Sequence, residues 1–201
     1  MTERVLVPHE DKPAPEPLRL VQSFVNTRDL LKRVDLLADP GPATAWLRQT
    51  GLLGPGATAG VGELRLAREF RESLRVMLAG NGPGPAPAPS ELGPVQAAAR
   101  AARPRLSVGP GGQVELAPGT GDRLAGGLTR LLLVIRDAQH DGTWSRLKLC
   151  GNPDCLWAFY DRSHSRRGAW CDMASCGNLI KNRNLRARRA VRASAGPHEP
   201  A

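Results

Sequence analysis

Residues 150–176 read CGNPDCLWAFYDRSHSRRGAWCDMASC and contain all four cysteines of the 201-residue chain. The cysteines form two pairs, Cys150 with Cys155 and Cys171 with Cys176, and fifteen residues separate the pairs. Each pair can hold one side of a tetrahedral Zn²⁺ ion, and the loop between the pairs brings the two sides together. Residues 151–154 favour a turn between the first two ligands. The sequence therefore predicts one structural zinc ion held by four thiolates.

Two other interpretations of the cysteines stay open at this point. They could be buried free thiols, or redox-active pairs, although neither pair has the Cys-x-x-Cys spacing of thiol oxidoreductases. His164 could compete as a ligand, but four thiols already complete a tetrahedral site. Because such a site leaves no position for a reactive water, the metal is expected to be structural, and no enzymatic activity is expected.

Aromatic residues cluster in the same region. Trp157, Phe159, Tyr160 and Trp170 lie between or beside the cysteines, and a module this small rarely folds without a metal or disulfides. We therefore expect these rings to form a miniature core around the metal. Their alternative role is to stack on the bases of single-stranded nucleic acid.

Positive charge is concentrated just beyond the cysteines. The chain has a net charge of +9, which favours polyanionic partners, and between residues 162 and 192 Asp172 is the only acid. Residues 176–192 lack proline and are predicted to be helical, with Ile180, Ala187 and Val191 forming a narrow apolar seam that docks on the module. The alternative is a solvated basic helix. The candidate nucleic-acid contacts are Arg162, Arg166, Arg167, Lys181, Arg183, Arg186, Arg188, Arg189 and Arg192.

The preceding part of the chain reads as a mainly α-helical domain with one small β-hairpin. Residues 1–17 are Pro-rich and are expected to be a flexible tail, and residues 18–26 fit either a strand or a buried helix. The pattern predicts helices over 30–37, 43–49, 63–78, 90–102 and 122–139, a hairpin over 105–108 and 113–116, and a Pro/Gly-rich loop over 80–89. A breaker, Asp-Pro-Gly-Pro at 39–42, separates the first two helices.

Several classes of protein are not expected. The longest aliphatic run covers only 131–135, far short of the ~20 residues that span a bilayer, and the N-terminus does not resemble a signal peptide. A cytoplasmic location follows, where clustered cysteines hold metal more often than they form disulfides. Asp29, Asp35 and Asp39 are interpreted as solvated or capping residues, and residues 1–140 contain no cysteine and no Gly-rich phosphate loop.

Longer motifs resemble a known family. The runs WSRLKLC at 144–150, CLWAFYDRS at 155–163 and WCDMASCGN at 170–178 resemble the CGNR zinc-finger family of bacterial proteins. FVNT at 24–27, WL at 46–47 and ESLR at 72–75 resemble the ABATE domain, which commonly precedes that finger. The resemblance implies an ABATE-like domain over 18–140 and a CGNR-like zinc finger with a small hairpin and a basic helix over 141–192. Residues 193–201 are expected to be a flexible tail.

The resemblance also implies a function, that of a stress-induced transcription regulator whose finger binds DNA. The four cysteines fall on its zinc ligands, and Lys181 and Arg183 fall on basic positions after the last ligand. The motif that names the family ends in Arg, whereas Leu179 stands here, so affinity or specificity could differ.

Three hypotheses follow. The first is a DNA-binding regulator whose N-terminal domain senses a small-molecule effector or forms a homodimer. The second is an RNA-binding module of zinc-ribbon type, with Trp157, Phe159 or Tyr160 stacking on unpaired bases. The third is a small-molecule-binding or enzymatic N-terminal domain for which the finger is only a docking element.

Overall fold

A computed structural model describes residues 12–82, 86–119 and 123–194, with side chains up to residue 191. The helices are Leu18–Val25 (α1), Pro40–Gln49 (α2), Val61–Ala79 (α3), Gly93–Ala101 (α4), Leu124–His140 (α5) and Asn178–Ser194 (α6). The strands are Arg28–Asp29 (β1), Val34–Asp35 (β2), Arg105–Val108 (β3), Val114–Ala117 (β4), Leu147–Leu149 (β5) and Ala158–Tyr160 (β6). They pair antiparallel as β1–β2, β3–β4 and β5–β6. The predicted fold class, mainly helical with small hairpins and a cysteine-rich C-terminal finger, is confirmed.

Helix α3 lies at the centre of the core and follows its sequence pattern. Leu64, Ala67, Phe70, Leu74 and Leu78 recur every three or four residues and are all buried. The helix packs against α1, α2, α4 and β5. Its bounds extend the predicted helix by two residues at the start and one at the end.

Residues 18–26, for which strand and helix were both open, form α1. Seven of the eight residues of α1 are buried, and a helix buried nearly all round has no amphipathic period to reveal it. Phe24 anchors α1, because its ring lies 6.3 Å from that of Trp46 and 6.0 Å from that of Phe70.

The helix predicted over 30–37 is wrong, because residues 28–35 form the β1–β2 hairpin. The cause is a long-range ion pair. Buried Arg71 on α3 donates to both carboxylate oxygens of Asp35, at 2.6 and 2.8 Å, and Arg33 takes a left-handed conformation with φ of 56° in the turn. The predicted breaker at 39–42 is instead the start of α2, where Pro40 occupies the first helical turn.

The remaining elements of the N-terminal part follow their patterns with small shifts. Residues 89–92 form a 3₁₀ turn before α4 begins, and the β3–β4 hairpin pairs Leu106 with Leu116. Residues 83–85 of the predicted loop and Asp122 of the predicted α5 start lie outside the described residues. Gly127 of α5 is required by close packing, since a Cβ there would clash with the carbonyl oxygen of Leu52.

The predicted flexible tail over 1–17 is wrong for residues 12–17, which pack on the fold. The carbonyl of Lys12 accepts a hydrogen bond from the backbone of Tyr160, and buried Ala14 donates its backbone N–H to the Gln22 side chain at 2.6 Å. At the other end, residues 193–194 continue α6 rather than begin a tail. Residues 1–11 and 195–201 lie outside the described chain.

The two halves of the chain share one hydrophobic core. Leu147 and Ala158, from the β5–β6 hairpin of the cysteine-rich part, are buried in the same cluster as Phe24 and Leu74. α3 packs against β5 and α1 packs against β6. The change in composition near residue 140 therefore does not divide two independent cores. Among the described helices, none has the length and apolarity needed to cross a membrane.

Candidate metal centre and nucleic-acid interface

The four cysteine sulfurs converge on one point. Their Sγ atoms all lie within 4.8 Å of one another, and those of Cys155 and Cys171 are 3.8 Å apart. A tetrahedron with Zn–S bonds of about 2.3 Å has an S···S edge of about 3.8 Å. Cys150, Cys155 and Cys176 are buried and Cys171 is half-buried. The geometry and the all-sulfur donor set therefore fit a structural zinc ion with no open coordination position.

A tight turn places the first two ligands. The carbonyl of Asn152 accepts hydrogen bonds from the backbone N–H groups of Cys155 and Leu156, at 2.9 and 3.1 Å, and Cys150 donates its own N–H to the carbonyl of Trp157. Leu156 has a φ of 49°, which turns the chain sharply after the second ligand. These contacts fix the predicted turn.

Asn152 is a positioning residue that the sequence identified only as a turn former. It is completely buried, its Nδ2 lies 3.5 Å from the Sγ of Cys176, and its Oδ1 accepts from the backbone of Asp154. Outer contacts of this kind orient metal ligands and tune their basicity. The turn around the first ligand pair is thereby connected to the last ligand.

The last ligand, Cys176, lies on a π-helical turn, Met173–Gly177, and Cys171 comes just before the capping residue of that turn. The Asp172 side chain caps this turn by accepting from the backbone N–H groups of Ala174 and Ser175, at 3.2 and 2.7 Å. Hydrogen bonds from Ser175 and Ala174 lower the pKa of Asp172. The turn runs directly into α6, so the position of Cys176 sets the direction of that helix.

The sulfurs also influence one another's ionisation. Hydrogen bonds from the Cys155 and Cys171 thiols lower the pKa of Cys150, and the same sharing of protons raises the pKa of Cys155 and of Cys171. Thiolates are the metal-binding form, so zinc binding releases the remaining protons.

The helical domain completes the outer edge of the finger's hairpin. Asn26 makes two hydrogen bonds with Ala158 of β6, one to its carbonyl at 2.9 Å and one from its N–H at 2.7 Å. Arg75 donates to the carbonyl of Leu156 at 2.7 Å and to that of Val25 at 2.9 Å. Sequence reasoning assigned neither residue a role, and the available signal was their place in the FVNT and ESLR motifs.

The aromatic residues divide between two environments, so the predicted miniature core is only partly right. Trp157 and Trp170 are half-buried and pack against the cysteine cluster. Phe159 and Tyr160 are buried, and Tyr160 belongs to the main core shared with the helical domain. The Nζ of Lys12 lies 5.1 Å above the Phe159 ring and donates to the carbonyl of Trp170.

A buried ion pair supports the basic loop at 162–167. Lys148 donates to Asp161 at 2.9 Å, and the same carboxylate accepts from the backbone N–H groups of Ser163 and Gly168, at 3.0 and 2.7 Å. Burial would raise the pKa of Asp161, but hydrogen bonds from Ser163, Lys148 and Gly168 outweigh it and hold the pKa well below its usual range. These hydrogen bonds hold the two ends of the loop in place, whereas the side chains of Arg162, Arg166 and Arg167 are exposed.

Helix α6 projects into solvent instead of docking on the module as predicted. Ile180 is half-buried, but Ala187 and Val191 of the proposed seam are exposed, and so is every other residue from 181 to 191. A seam of three small or branched side chains offers too little apolar surface to hold a helix. The exposed basic residues of this helix are Lys181, Arg183, Arg186, Arg188 and Arg189. Arg192 is on the helix, but its side chain lies outside the described part.

The family follows from a match that covers more than half of the chain. Residues 18–140 match the ABATE family, described as "Putative stress-induced transcription regulator". The chain belongs to the ABATE family. Residues 146–189 of this ABATE protein match the CGNR zinc finger, in the order that the motifs predicted. No curated protein matches the chain.

The two matches agree with the geometry. The CGNR match contains all four converging cysteines, so the predicted single structural zinc ion is supported by both fold and family. Asn26 and Arg75, which contact the finger, lie within the ABATE match. The ABATE protein is therefore a zinc-finger protein of a regulator family. Hydrogen bonds from its helical domain support the finger.

Proposed function

We propose that this ABATE protein regulates transcription by binding duplex DNA through α6 and the basic loop at 162–167. The observation that carries the proposal is a basic helix exposed on all sides, with no acidic residue between 173 and 191. Its 17 residues extend for about 25 Å, and the major groove of B-DNA admits an α-helix. No catalytic step is assigned to the metal, since the four thiolates leave it no open position.

The charge on α6 is available to a partner. Among the described side chains, the only ion pair of this helix joins Arg183 to Asp154 at 4.0 Å, with both side chains more than 60% exposed. An exposed pair of this kind contributes at most about 1 kcal/mol and is easily exchanged for a phosphate. The opposite end of the finger is held by the core, so the basic helix is presented from a fixed base.

Binding would also stabilise α6. Helical stability in proteins comes mainly from packing, and a helix that is polar all round lacks this support. Residues 181–190 of α6 are all exposed. Phosphates placed along the helix would supply the missing contacts, so helical content should rise when DNA is added.

Duplex DNA is favoured over single-stranded RNA by the position of the aromatic rings. Stacking on unpaired bases needs exposed ring faces, whereas Phe159 and Tyr160 are buried and Trp157 is half-buried against the cysteines. The exposed basic residues of α6 and of the 162–167 loop suit phosphate contacts along a duplex.

The test is the salt dependence of binding to a mixed-sequence 20-base-pair duplex, measured by fluorescence anisotropy. The five basic residues with described side chains on α6 could neutralise about five phosphates, which predicts a loss of affinity of about 500-fold between 50 and 200 mM salt. Replacing Arg183 and Arg186 by Gln should reduce the magnitude of the log–log salt slope by about 1.8. The control removes two charges from α3, as Arg65→Gln with Arg68→Gln, and should leave the slope unchanged.

The outcomes separate the alternatives. Absence of duplex binding at 50 mM salt, or equal slopes for the two double variants, would refute the proposal. A single-stranded RNA that displaces the labelled duplex more strongly than unlabelled duplex would establish the RNA-binding alternative instead. Zinc content of each variant, measured in parallel, confirms that the finger is intact.

A further inference from the structure

An apolar cavity lies in the helical domain, between α3, α4 and α5. Its volume is about 460 Å³, within the range of small-molecule sites. Phe70 from α3, Ala98 from α4 and Leu128 from α5 form its walls. Leu66 lies at its edge and is 54% exposed, although its spacing on α3 is that of a core residue.

The sequence of α4 explains why the space is not filled. The helix reads GPVQAAARA, and on this side it presents Gly93, Pro94 and a series of alanines. Val95 is the only buried residue of α4, and the turn before the helix is tied to α3 by a hydrogen bond from Ser73 Oγ to the carbonyl of Glu91. These small side chains leave part of the space between α4 and α5 unfilled, so α4 covers the gap without closing it.

The polar groups of the cavity define the charge of a ligand. Glu69 is the one charged side chain among the described residues that line it. Its pair with Arg65 at 3.8 Å joins two exposed side chains, a contact worth little in water, so the carboxylate can turn towards a bound cation. The hydroxyl of Thr129 donates to the carbonyl of Ala125 within α5.

We propose that this cavity binds a small hydrophobic cation, whose apolar body fills the space between the helices and whose protonated amine pairs with Glu69. The apolar walls supply affinity through burial of the body. The single carboxylate supplies selectivity, because an anion would be repelled and a neutral analogue would lose the charge pair. The site is independent of the proposed DNA contacts, which lie on α6 and the 162–167 loop.

The test uses three probes that share one body, namely adamantan-1-amine, adamantan-1-ol and adamantane-1-carboxylate. Each is titrated by calorimetry into the zinc-loaded full-length protein. The amine should bind with a dissociation constant below about 1 mM, the alcohol about tenfold more weakly, and the carboxylate more weakly still. Absence of amine binding, or equal affinity for all three, would overturn the proposal.

Two variants locate the site. Glu69→Gln should weaken amine binding about tenfold and leave alcohol binding unchanged, whereas the matched Glu115→Gln, on the exposed β4 strand, should change neither. Ala98→Leu fills the cavity and should abolish binding of both ligands while the melting temperature stays equal or rises. Retained binding in Ala98→Leu contradicts the proposal. So does a change in sedimentation from dimer to monomer in that variant, which would make the cavity a subunit interface.

Discussion

Arg75 joins the helical domain to the zinc module, so its replacement by methionine tests whether the two are energetically coupled. Its guanidinium is almost completely buried and donates to the carbonyls of Leu156 and Val25 and to the Glu72 carboxylate at 3.1 Å. Methionine retains much of the side-chain volume but offers no donor. The two carbonyls would lose their charged partner, and Glu72 would lose one of the three arginines that pair with it.

The expected loss can be worked out from these contacts. A hydrogen bond from a charged donor contributes about 1.5 to 3 kcal/mol, and relief of the guanidinium's burial offsets part of two such losses. A net destabilisation of about 3 kcal/mol corresponds to a fall in Tm of about 6 to 12 °C for a chain of this size. The Leu156 carbonyl lies just after Cys155, so about 1.5 kcal/mol of the loss should appear as a tenfold weaker zinc affinity.

The assay combines thermal unfolding, followed by circular dichroism, with zinc affinity measured by competition with a chromophoric chelator. Arg65→Met serves as the control, because Arg65 lies on the same helix with an exposed side chain and should change stability by no more than about 0.5 kcal/mol. A lower Tm with unchanged zinc affinity would show that the finger folds independently of the helical domain. That result would refute the coupling inferred from Arg75.

Three further predictions concern the metal, an ion pair and the DNA contact. Removal of zinc with a chelator should expose Trp157 and Trp170, which pack on the cysteines, and shift tryptophan emission to longer wavelength; unchanged emission would contradict a structural metal. Burial raises the pKa of Asp35, but its hydrogen bonds and charge pair with Arg71 outweigh burial and lower it below 3.8. The difference in free energy of unfolding between the protein and its Asp35→Asn variant should therefore be constant above about pH 5 and decline as the pH falls through 3.8 towards the folded-state pKa. Urea unfolding of both proteins at each pH measures this difference. A difference that persists undiminished to pH 2 would argue against the ion pair. Leu179 is 55% exposed at the start of α6, so Leu179→Arg should raise duplex affinity at low salt and steepen the salt slope by about 0.9, whereas an unchanged slope would place this position away from DNA.

Local signals in the sequence predicted the elements that depend on local forces. The three- and four-residue spacing of apolar side chains fixes α3, alternation around a glycine-rich turn fixes the β3–β4 hairpin, and the cysteine spacing identifies the metal ligands. Each of these patterns is complete within one short stretch of chain. They are accordingly visible without knowledge of the rest of the fold.

The errors arise where distant residues decide the conformation. Asp35 is drawn into a hairpin by Arg71, thirty-six residues away, and the Pro-rich segment at 12–17 is ordered by contacts with Gln22 and Tyr160. The predicted docking of α6 is wrong for a different reason. An apolar seam with helical spacing shows that a helix can form, but it does not show that the fold offers a surface on which the helix can pack. A polar residue that completes another strand, as Asn26 does for β6, gives no periodic signal at all.

Because Asn26 pairs with β6, this finger is not an independent module that can be moved to another protein by itself. In the intact protein, one amide side chain takes the place of a neighbouring strand, and Leu147 and Ala158 are covered by helices from the other half of the chain. A fragment cut at residue 140 would carry the metal ligands but would present an unpaired strand edge beside uncovered apolar side chains, a combination that promotes aggregation. Grafting the finger onto a foreign protein would therefore require transferring the α1 and α3 surfaces with it.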